Sequence, residues 1–524
     1  MTTLWHPIVV ATLPILRAWL DTLSPNPFAP RTALLSSALL MGAALVLMVL
    51  GRAVTGCRHA GSLVASVALF LGLNFLPIVA MVGAGLGVGG AIHNVPFQTA
   101  VAAALGLIVA VAAHVARFCR RRMQDPRRLT LVANVFAAVL LAVVVADASA
   151  ARMRLHGSEW PKVAARLTTP HPRHTWRPRS SLPDVYFILL DGYGRADVLD
   201  RLYHIDNEPF LAQLRARGFH VVDKARSNYQ QTAPSVASTF NVVYLDDVAD
   251  AVGRDTTDRL PLEYMAQQGS VVRTFLDAGY RYIALSSFQT RDEPLADEVV
   301  SPRYALNDSS PITSLSVLRL VSPLQRWQYR LHALNVLHAF AELERTTGKP
   351  GPKFVFGHIL MPHPPFVLTA EGHFVSPPGA YALGDGSHYP YSRDAYVQGY
   401  RGQVAFLNER LLRTVDAILE RSLRPTVVVI QGDHGPGGWT NWSTPDSSDH
   451  QERSGILAAY LFPGANALWP TATPVNAWRL LMNEVLGTAL GRVEDRSYYA
   501  RWARPYDFVE VADQPLTPPS AHAQ

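Results

Sequence analysis

The fold class predicted for this chain is a multi-span α-helical membrane domain followed by a large α/β domain. The sheet of that second domain is expected to be mainly parallel, with helices on both faces. Three observations predict it. Residues 1–150 are nearly all Ala, Val, Leu and Gly, in apolar runs of about bilayer length. From residue 184 onward, short continuous apolar runs alternate with stretches of helical period, as in a parallel sheet buried on both sides. Asp and His recur at the ends of those runs, where such a sheet presents residues to a ligand.

Composition agrees with two unlike halves. The chain has 524 residues, too many for one ordinary domain. Apolar residues make up 49% and charged residues 17%, against about 25% in soluble proteins. Acidic residues lie almost entirely after residue 150. The net charge of +6 is carried by arginine, the lysines being Lys162, Lys224, Lys349 and Lys353. A basic balance can signal nucleic acid, but there is no basic stripe with interleaved aromatics. The densest arginine run, RFCRRRMQDPRR at 117–128, lies between two apolar segments and reads as a topology signal. No nucleic-acid partner is expected. The two cysteines, Cys57 and Cys119, both precede residue 150. The C-terminal part therefore has no disulfide, no Cys₄ zinc site and no thiol nucleophile.

The membrane domain is expected over residues 1–150, with about five helices. Segments 31–50, 97–116 and 129–147 are long enough to span. Segment 61–92 should hold one helix and a glycine-rich turn. Segment 4–20, which carries His6, two prolines and Arg17, is either a fifth span or an interfacial helix. It is not a signal peptide, because no small-residue cleavage site follows it. The loops 51–61 and 117–128 hold the arginines, whereas 22–30 and 82–96 hold none, so the arginine loops are cytoplasmic. The last span then runs outward, and everything after about residue 150 is extracytoplasmic. GLGVGG at 85–90 fits a dinucleotide fingerprint but follows no strand, and is read as a turn or tight helix packing.

Residues 151–183, rich in Arg, His and Pro, are read as a juxtamembrane linker. The α/β domain is expected over 184–512 and a disordered tail over 513–524. Strands are predicted at 184–190, 282–285, 353–360, 426–431 and 456–462. Helices are predicted at 207–217, 310–345 and 397–421.

Asp191 follows the first of these strands, in LLDGYGR; His358 and His363 fall in GHILMPHPPF; Asp433 and His434 end VVVIQGDHG. Asp191, Asp433 and His434 could share a metal. Oxygen and imidazole ligands without thiolate suit zinc or manganese. In SNYQQTAPSVASTF, Thr232 stands at the start of a helix with Pro234 in its first turn. It is either a helix cap or a nucleophile activated by the metal. His450 is expected to be a solvated loop residue.

The ordered set LLDGYGR, TAPS, MPHPPF and QGDHG resembles the alkaline phosphatase/sulfatase superfamily. With the N-terminal spans, it is most similar to the membrane branch that contains the lipoteichoic acid synthases and the lipid A phosphoethanolamine transferases. The resemblance implies an alkaline phosphatase-like sheet and one divalent metal, zinc or manganese. It implies Asp191, Thr232, Asp433 and His434 as ligands, with Thr232 also the nucleophile. His363 would hold the phosphoryl group or protonate the leaving oxygen. His358 would be either a second catalytic histidine or a satisfied strand residue. TAPSV lacks the Cys or Ser and the Arg of true sulfatases, which disfavours sulfate ester hydrolysis.

The implied function is transfer of a substituted phosphoryl group from a membrane phospholipid to a glycan or lipid acceptor. The alternatives are an extracytoplasmic phosphatase or phosphodiesterase, and an inactive membrane scaffold. Trp439 and Trp442 either contact the substrate or pack the metal loop. The alanine- and arginine-rich composition points to an integral protein of a bacterial inner membrane, with its second domain in the periplasm.

Overall fold

The computed structural model describes residues 4–20, 30–75, 97–121, 125–175, 182–287, 293–303, 322–379, 381–462 and 473–512. The GLGVGG stretch, most of the 22–30 connection and the 513–524 tail lie outside the described residues. The chain divides into two units. One comprises residues 1–154 with 305–329 and 378–381; the other comprises 155–304, 330–377 and 382–524.

The first unit is built from apolar helices at His6–Leu20, Pro30–Thr55, Arg58–Leu73, Phe97–Arg121 and Pro126–Gly157. Among the described residues, Ala33–Thr55 and Pro126–Gly157 are long and apolar enough to cross a membrane, and the other apolar helices are shorter. Leu34, Leu39, Val46, Val49, Leu131, Val135, Phe136 and Val139 on these two helices are exposed. An apolar surface of this kind is suited to lipid. The arginine loop expected at 51–61 is reduced to a turn at Gly56 and Cys57. Beside it Gly51 and Gly61 touch: a Cβ on Gly61 would lie 2.4 Å from the backbone nitrogen of Arg52. Small residues at a crossing let two apolar helices meet backbone to backbone. Several of the polar side chains buried here are paired. His6 hydrogen-bonds to Ser66 (2.7 Å) and Ser62 (3.2 Å), and its backbone N–H donates to Asn134 Oδ1 (3.1 Å).

Among its described residues, the stretch read as a linker is structured. Residues from 155 onward belong to the second unit, and Trp160–Leu167 is a helix. Trp160, Val163, Ala164 and Leu167 recur at helical spacing and pack with Tyr229, Leu245 and Val248. The Arg, His and Pro content of 151–183 masked that apolar face. Further on, His171 hydrogen-bonds to Ser270 Oγ (3.0 Å), and its N–H donates to Thr274 Oγ1 (2.9 Å).

The second unit is organised on a seven-stranded sheet: β1 (Asp184–Leu190), β2 (His220–Val221), β3 (Arg281–Ser286), β4 (Glu298–Val300), β5 (Lys353–Ile359), β6 (Thr426–Gly432) and β7 (Ala458–Leu461). The order is β2-β7-β6-β1-β5-β3-β4. All pairings are parallel except those of β7, which runs against both β6 and β2. The short strands β2 and β4 lack a run long enough to signal in sequence. A separate hairpin, β8 (Tyr498–Arg501) with β9 (Arg504–Glu510), was also not foreseen.

Strands β1, β5 and β6 are buried along their whole length. That is why they read as continuous apolar runs rather than alternating ones. On one face, Phe187, Phe354, Phe356 and Val429 pack with Val236, Phe240, Phe275, Trp478 and Met482 from helices Thr232–Asn241, Ser270–Asp277 and Pro474–Leu486. The Phe187 and Trp478 ring centres are 4.7 Å apart. Each large apolar side chain buried this way contributes about 1.5–3 kcal/mol. Leu343, on helix Ser322–Arg345, packs directly on Gly357 of β5 from the other face. Helix Arg393–Arg421 adds buried Leu407, Leu411 and Val415, and its Thr414 hydroxyl donates to Glu344 (3.0 Å) on the first of these helices. The sheet is thus mainly parallel and covered on both faces.

Candidate metal and active site

Parallel register decides what meets at the end of the sheet. Leu190 of β1 pairs with Gly432 of β6 and Ile359 of β5, so the residues that follow emerge side by side. Backbone bonds lock the three turns together. The N–H of Asp191 donates to the carbonyl of Ile359 (3.0 Å), and the N–H of His363 donates to that of Asp191 (2.9 Å). Tyr400, on helix Arg393–Arg421, accepts from the N–H of Gly194 (3.1 Å) and donates to the carbonyl of Gly192 (2.9 Å).

Each acidic side chain there is half satisfied. Asp433 Oδ1 accepts from the N–H groups of Gly192 (3.0 Å) and His434 (2.9 Å), while its Oδ2 is buried with no hydrogen-bond partner. Asp191 Oδ2 lies 3.3 Å from His358 Nε2, and its Oδ1 is likewise buried with no hydrogen-bond partner. His434 Nδ1 faces the carbonyl of Gly435 at 2.9 Å and must donate to it. Its Nε2 therefore carries a lone pair, 3.2 Å from Asp433 Oδ2 and 3.6 Å from Asp191 Oδ1. One ligand atom from each of the three residues lies within 4.8 Å of the others.

Two orphaned carboxylate oxygens and an imidazole lone pair converging in a buried site is costly without a cation. Burial and the Asp191 carboxylate raise Asp433 well above the usual carboxylate range. Burial pushes Asp191 upward too, but His363 and the hydrogen bond from His358 outweigh it and hold this carboxyl below its ordinary value. Burial, reinforced by Arg453, lowers His434 to about 3, so its imidazole is neutral, as a metal ligand must be. The donor set fits one dication of the zinc or manganese kind.

Thr232 is brought to this cluster. It is the first residue of its helix, and Gln231, in extended conformation, holds the N-cap position. The Thr232 hydroxyl makes no cap; Oγ1 lies 3.1 Å from His434 Nε2. Ser235, one turn on, donates to the carbonyl of Asp433 (2.7 Å) and ties the helix to the end of β6. Gln230 and Gln231 are both buried and fix the approach. Gln230 Nε2 donates to Ser454 Oγ (2.8 Å), and Gln231 Nε2 donates to the carbonyl of Ala500 (2.8 Å).

The remaining sequence candidates fall around this centre. His358 is buried and spends Nε2 on Asp191. His363 donates from Nδ1 to the carbonyl of Pro364 (2.6 Å), leaving Nε2 3.8 Å from Asp385. Its ring centre is 6.4 Å from that of His434. Trp442 is buried, and its Nε1 donates to the carbonyl of Asp385 (2.8 Å). Trp439 is half-buried, with the Arg393 guanidinium 5.0 Å from its ring centre. His450 heads the short helix His450–Ser454, faces Gln230 (3.3 Å) and is not among the clustered ligands.

Asp385, Tyr396, Glu452 and Arg453 escaped the sequence reading, although all four are buried beside the site. Arg453 pairs with Asp385 and lies 3.1 Å from His434 Nε2. Asp385 also accepts from Tyr396 (2.7 Å). Its burial would raise its pKa, but Arg453 prevails and holds it at about 2. Gly437 makes room for this carboxylate, since a Cβ there would lie 2.6 Å from Asp385 Oδ1. Glu452 accepts from Tyr203 and from the N–H of Trp439 (2.8 Å). Glu452 and Arg453 stand in the DHQERSG stretch beside His450, and Asp385 and Tyr396 carry no comparable sequence signal.

No family model and no curated protein matches the chain. Among solved structures, it is similar to the C-terminal periplasmic domain of EcEptC from Escherichia coli in complex with Zn. That similarity has a TM-score of 0.42 and 11% identity, covering 64% of this chain and 96% of the other. The integral membrane lipooligosaccharide phosphoethanolamine transferase A from Neisseria meningitidis is similar at TM-score 0.41 and 14% identity, over 92% of this chain and 94% of the other. The phosphonate monoester hydrolase of Agrobacterium radiobacter is similar at TM-score 0.36 and 13% identity, over 60% of this chain and 80% of the other.

Proposed function

We propose that this protein is a membrane-anchored, metal-dependent phosphotransferase. It moves a substituted phosphoryl group, of phosphoethanolamine or phosphoglycerol type, from a phospholipid to a glycan or lipid hydroxyl of the cell envelope. The observation that carries this reading is the Thr232 hydroxyl. It stands at a helix N-terminus, 3.1 Å from His434 Nε2, beside two buried carboxylate oxygens with no hydrogen-bond partner. A plain helix cap would turn that hydroxyl toward its own backbone.

Asp191, Thr232, Asp433 and His434 would hold the zinc or manganese ion, which supplies positive charge for the phosphoryl oxygens and favours ionisation of the hydroxyl. Thr232 Oγ attacks phosphorus, the bond from phosphorus to the diacylglycerol oxygen breaks, and a phospho-threonine forms. His363 has only Nε2 free to exchange a proton, because Nδ1 is committed to Pro364. That nitrogen protonates the departing diacylglycerol and, in the second step, accepts the proton of the incoming hydroxyl. The new bond from phosphorus to the acceptor oxygen then releases Thr232. His358, on Oδ2 of Asp191, would leave Oδ1 available to hold the ion. Trp439, half-buried, would contact the substrate, whereas Trp442, which is buried, packs the loop. The apolar helices anchor the chain in a bacterial inner membrane, with the site on the periplasmic side. Anchoring raises the effective donor concentration.

Full-length protein in vesicles containing head-group-labelled phosphatidylethanolamine or phosphatidylglycerol tests this reading. Diacylglycerol release with label passing to the protein and then to a lipid or sugar acceptor is expected, and chelation should stop it. Label appearing in water with no dependence on an acceptor would replace the transferase with a hydrolase.

A further inference from the structure

We infer that Arg453 occupies the place a second metal ion would take, and that with the metal bound its Nη2 grips a non-bridging oxygen of the transferred phosphoryl group. This inference rests on the metal-site reading above. A guanidinium carries five N–H groups. In Arg453, Nε donates to the carbonyl of Gln230 (2.9 Å). Nη1 is spent on Asp385 and on the carbonyl of Gly435 (3.0 Å). Nη2 points into the site and donates to His434 Nε2 at 3.1 Å. That nitrogen is the one whose lone pair the metal requires. Metal binding therefore removes the acceptor of Nη2 and frees that N–H beside Thr232 Oγ1, which also lies 3.1 Å from His434 Nε2.

The side chain is held for this purpose rather than left mobile. Arg453 is buried, its guanidinium carbon sits 4.9 Å from the ring centre of Trp442, and Trp442 is itself pinned to the Asp385 carbonyl at 2.8 Å. Asp385 and His363 Nε2 stand 3.8 Å apart on the far side. An acid and a histidine so placed resemble half of a second metal site, and in two-metal sites the ions lie about 3.5–4 Å apart. The guanidinium fills that space. Its charge is single where a metal's would be double. Such a site suits a phosphodiester, with one negative charge, better than a phosphomonoester with two. Arg453 would then select substituted phosphoryl groups.

The test uses full-length, zinc-loaded protein in detergent. The probe is dimethyl phosphate, a singly charged diester too unreactive to be turned over. Binding is read by calorimetry and zinc per chain by elemental mass spectrometry. One zinc per chain is expected in the unaltered protein. The double variant Arg453→Gln with Asp385→Asn removes both members of the buried pair, so no lone charge is left to unfold the site. It should keep its zinc and bind the probe about tenfold more weakly or worse, the worth of a charge-assisted hydrogen bond. Arg453→Lys keeps the charge but loses the planar fork stacked on Trp442, so it should also bind the probe more weakly than the parent. Two zinc ions in the unaltered protein, or a double variant that binds the probe as tightly as the parent, would overturn the inference. The proposed transfer fails separately, by the lack of any adduct on Thr232 in protein whose probe binding still depends on Arg453.

Discussion

At the scale of the residue, Asp433 and His434 explain each other. Asp433 gives one oxygen to two backbone N–H groups, and His434 gives one nitrogen to a carbonyl, so a single free atom of each is aimed into the same space. His358 does the same for Asp191. Replacing His358 with Phe should therefore lower zinc affinity about 10- to 100-fold, measured by competition with a chelator, while leaving the helical signal intact. Glu452 has a different role. Burial raises this carboxyl to about 8, from an ordinary 4.5, and no opposite charge compensates it. Because the folded value is the higher one, stability is greatest below pH 4.5 and is lost as pH climbs through 8. Glu452→Gln mimics the protonated form. It should match the parent near pH 4.5 and exceed it by on the order of a few kcal/mol at pH 9, read by thermal melting across pH.

At the scale of the element, the parallel sheet separates chemistry from stability along its strands. The carboxyl ends of β1, β5 and β6 carry the site, and the amino ends carry a buried ion pair. Lys353 Nζ lies 2.6 Å from Asp184 Oδ2, and both side chains are only 1% exposed. Lys353→Ala leaves Asp184 charged and buried, so it should cost about 3–5 kcal/mol in denaturant melts. Zinc affinity of the folded fraction should not change. Strands buried on both sides were legible because every residue from Val185 to Leu190 is apolar. Strands β2 and β4 were not legible, because two or three residues carry no period. The same contrast holds in the site. Asp191, Asp433 and His434 stand directly after apolar strands, and Thr232 opens a helix with Pro234 in its first turn. Asp385 and Arg453 come from a loop and a five-residue helix and meet only through the tertiary fold. No local spacing joins positions 68 apart. The helix at Trp160–Leu167 is legible in the helical spacing of its apolar residues, although the Arg, His and Pro content of 151–183 obscures it.

At the scale of the whole molecule, one chain combines lipid-suited helices with a sheet whose carboxyl edge gathers acids, imidazoles and a hydroxyl. A metal that binds only the folded form stabilises it by mass action. Zinc in excess should raise the melting temperature of the full-length protein in detergent by several degrees, and Asp433→Asn with Asp191→Asn should abolish that rise. The central claim, that Thr232 carries the transferred group, is tested most directly by intact-mass spectrometry of the full-length protein. The protein would be reconstituted in lipid discs of phosphatidylethanolamine and phosphatidylglycerol with zinc, beside Thr232→Ala. The expected result is an adduct of phosphoethanolamine or phosphoglycerol mass on Thr232, absent from the variant. Lipid turnover in zinc-loaded protein with no adduct, and with Thr232→Ala as active as the parent, would contradict it.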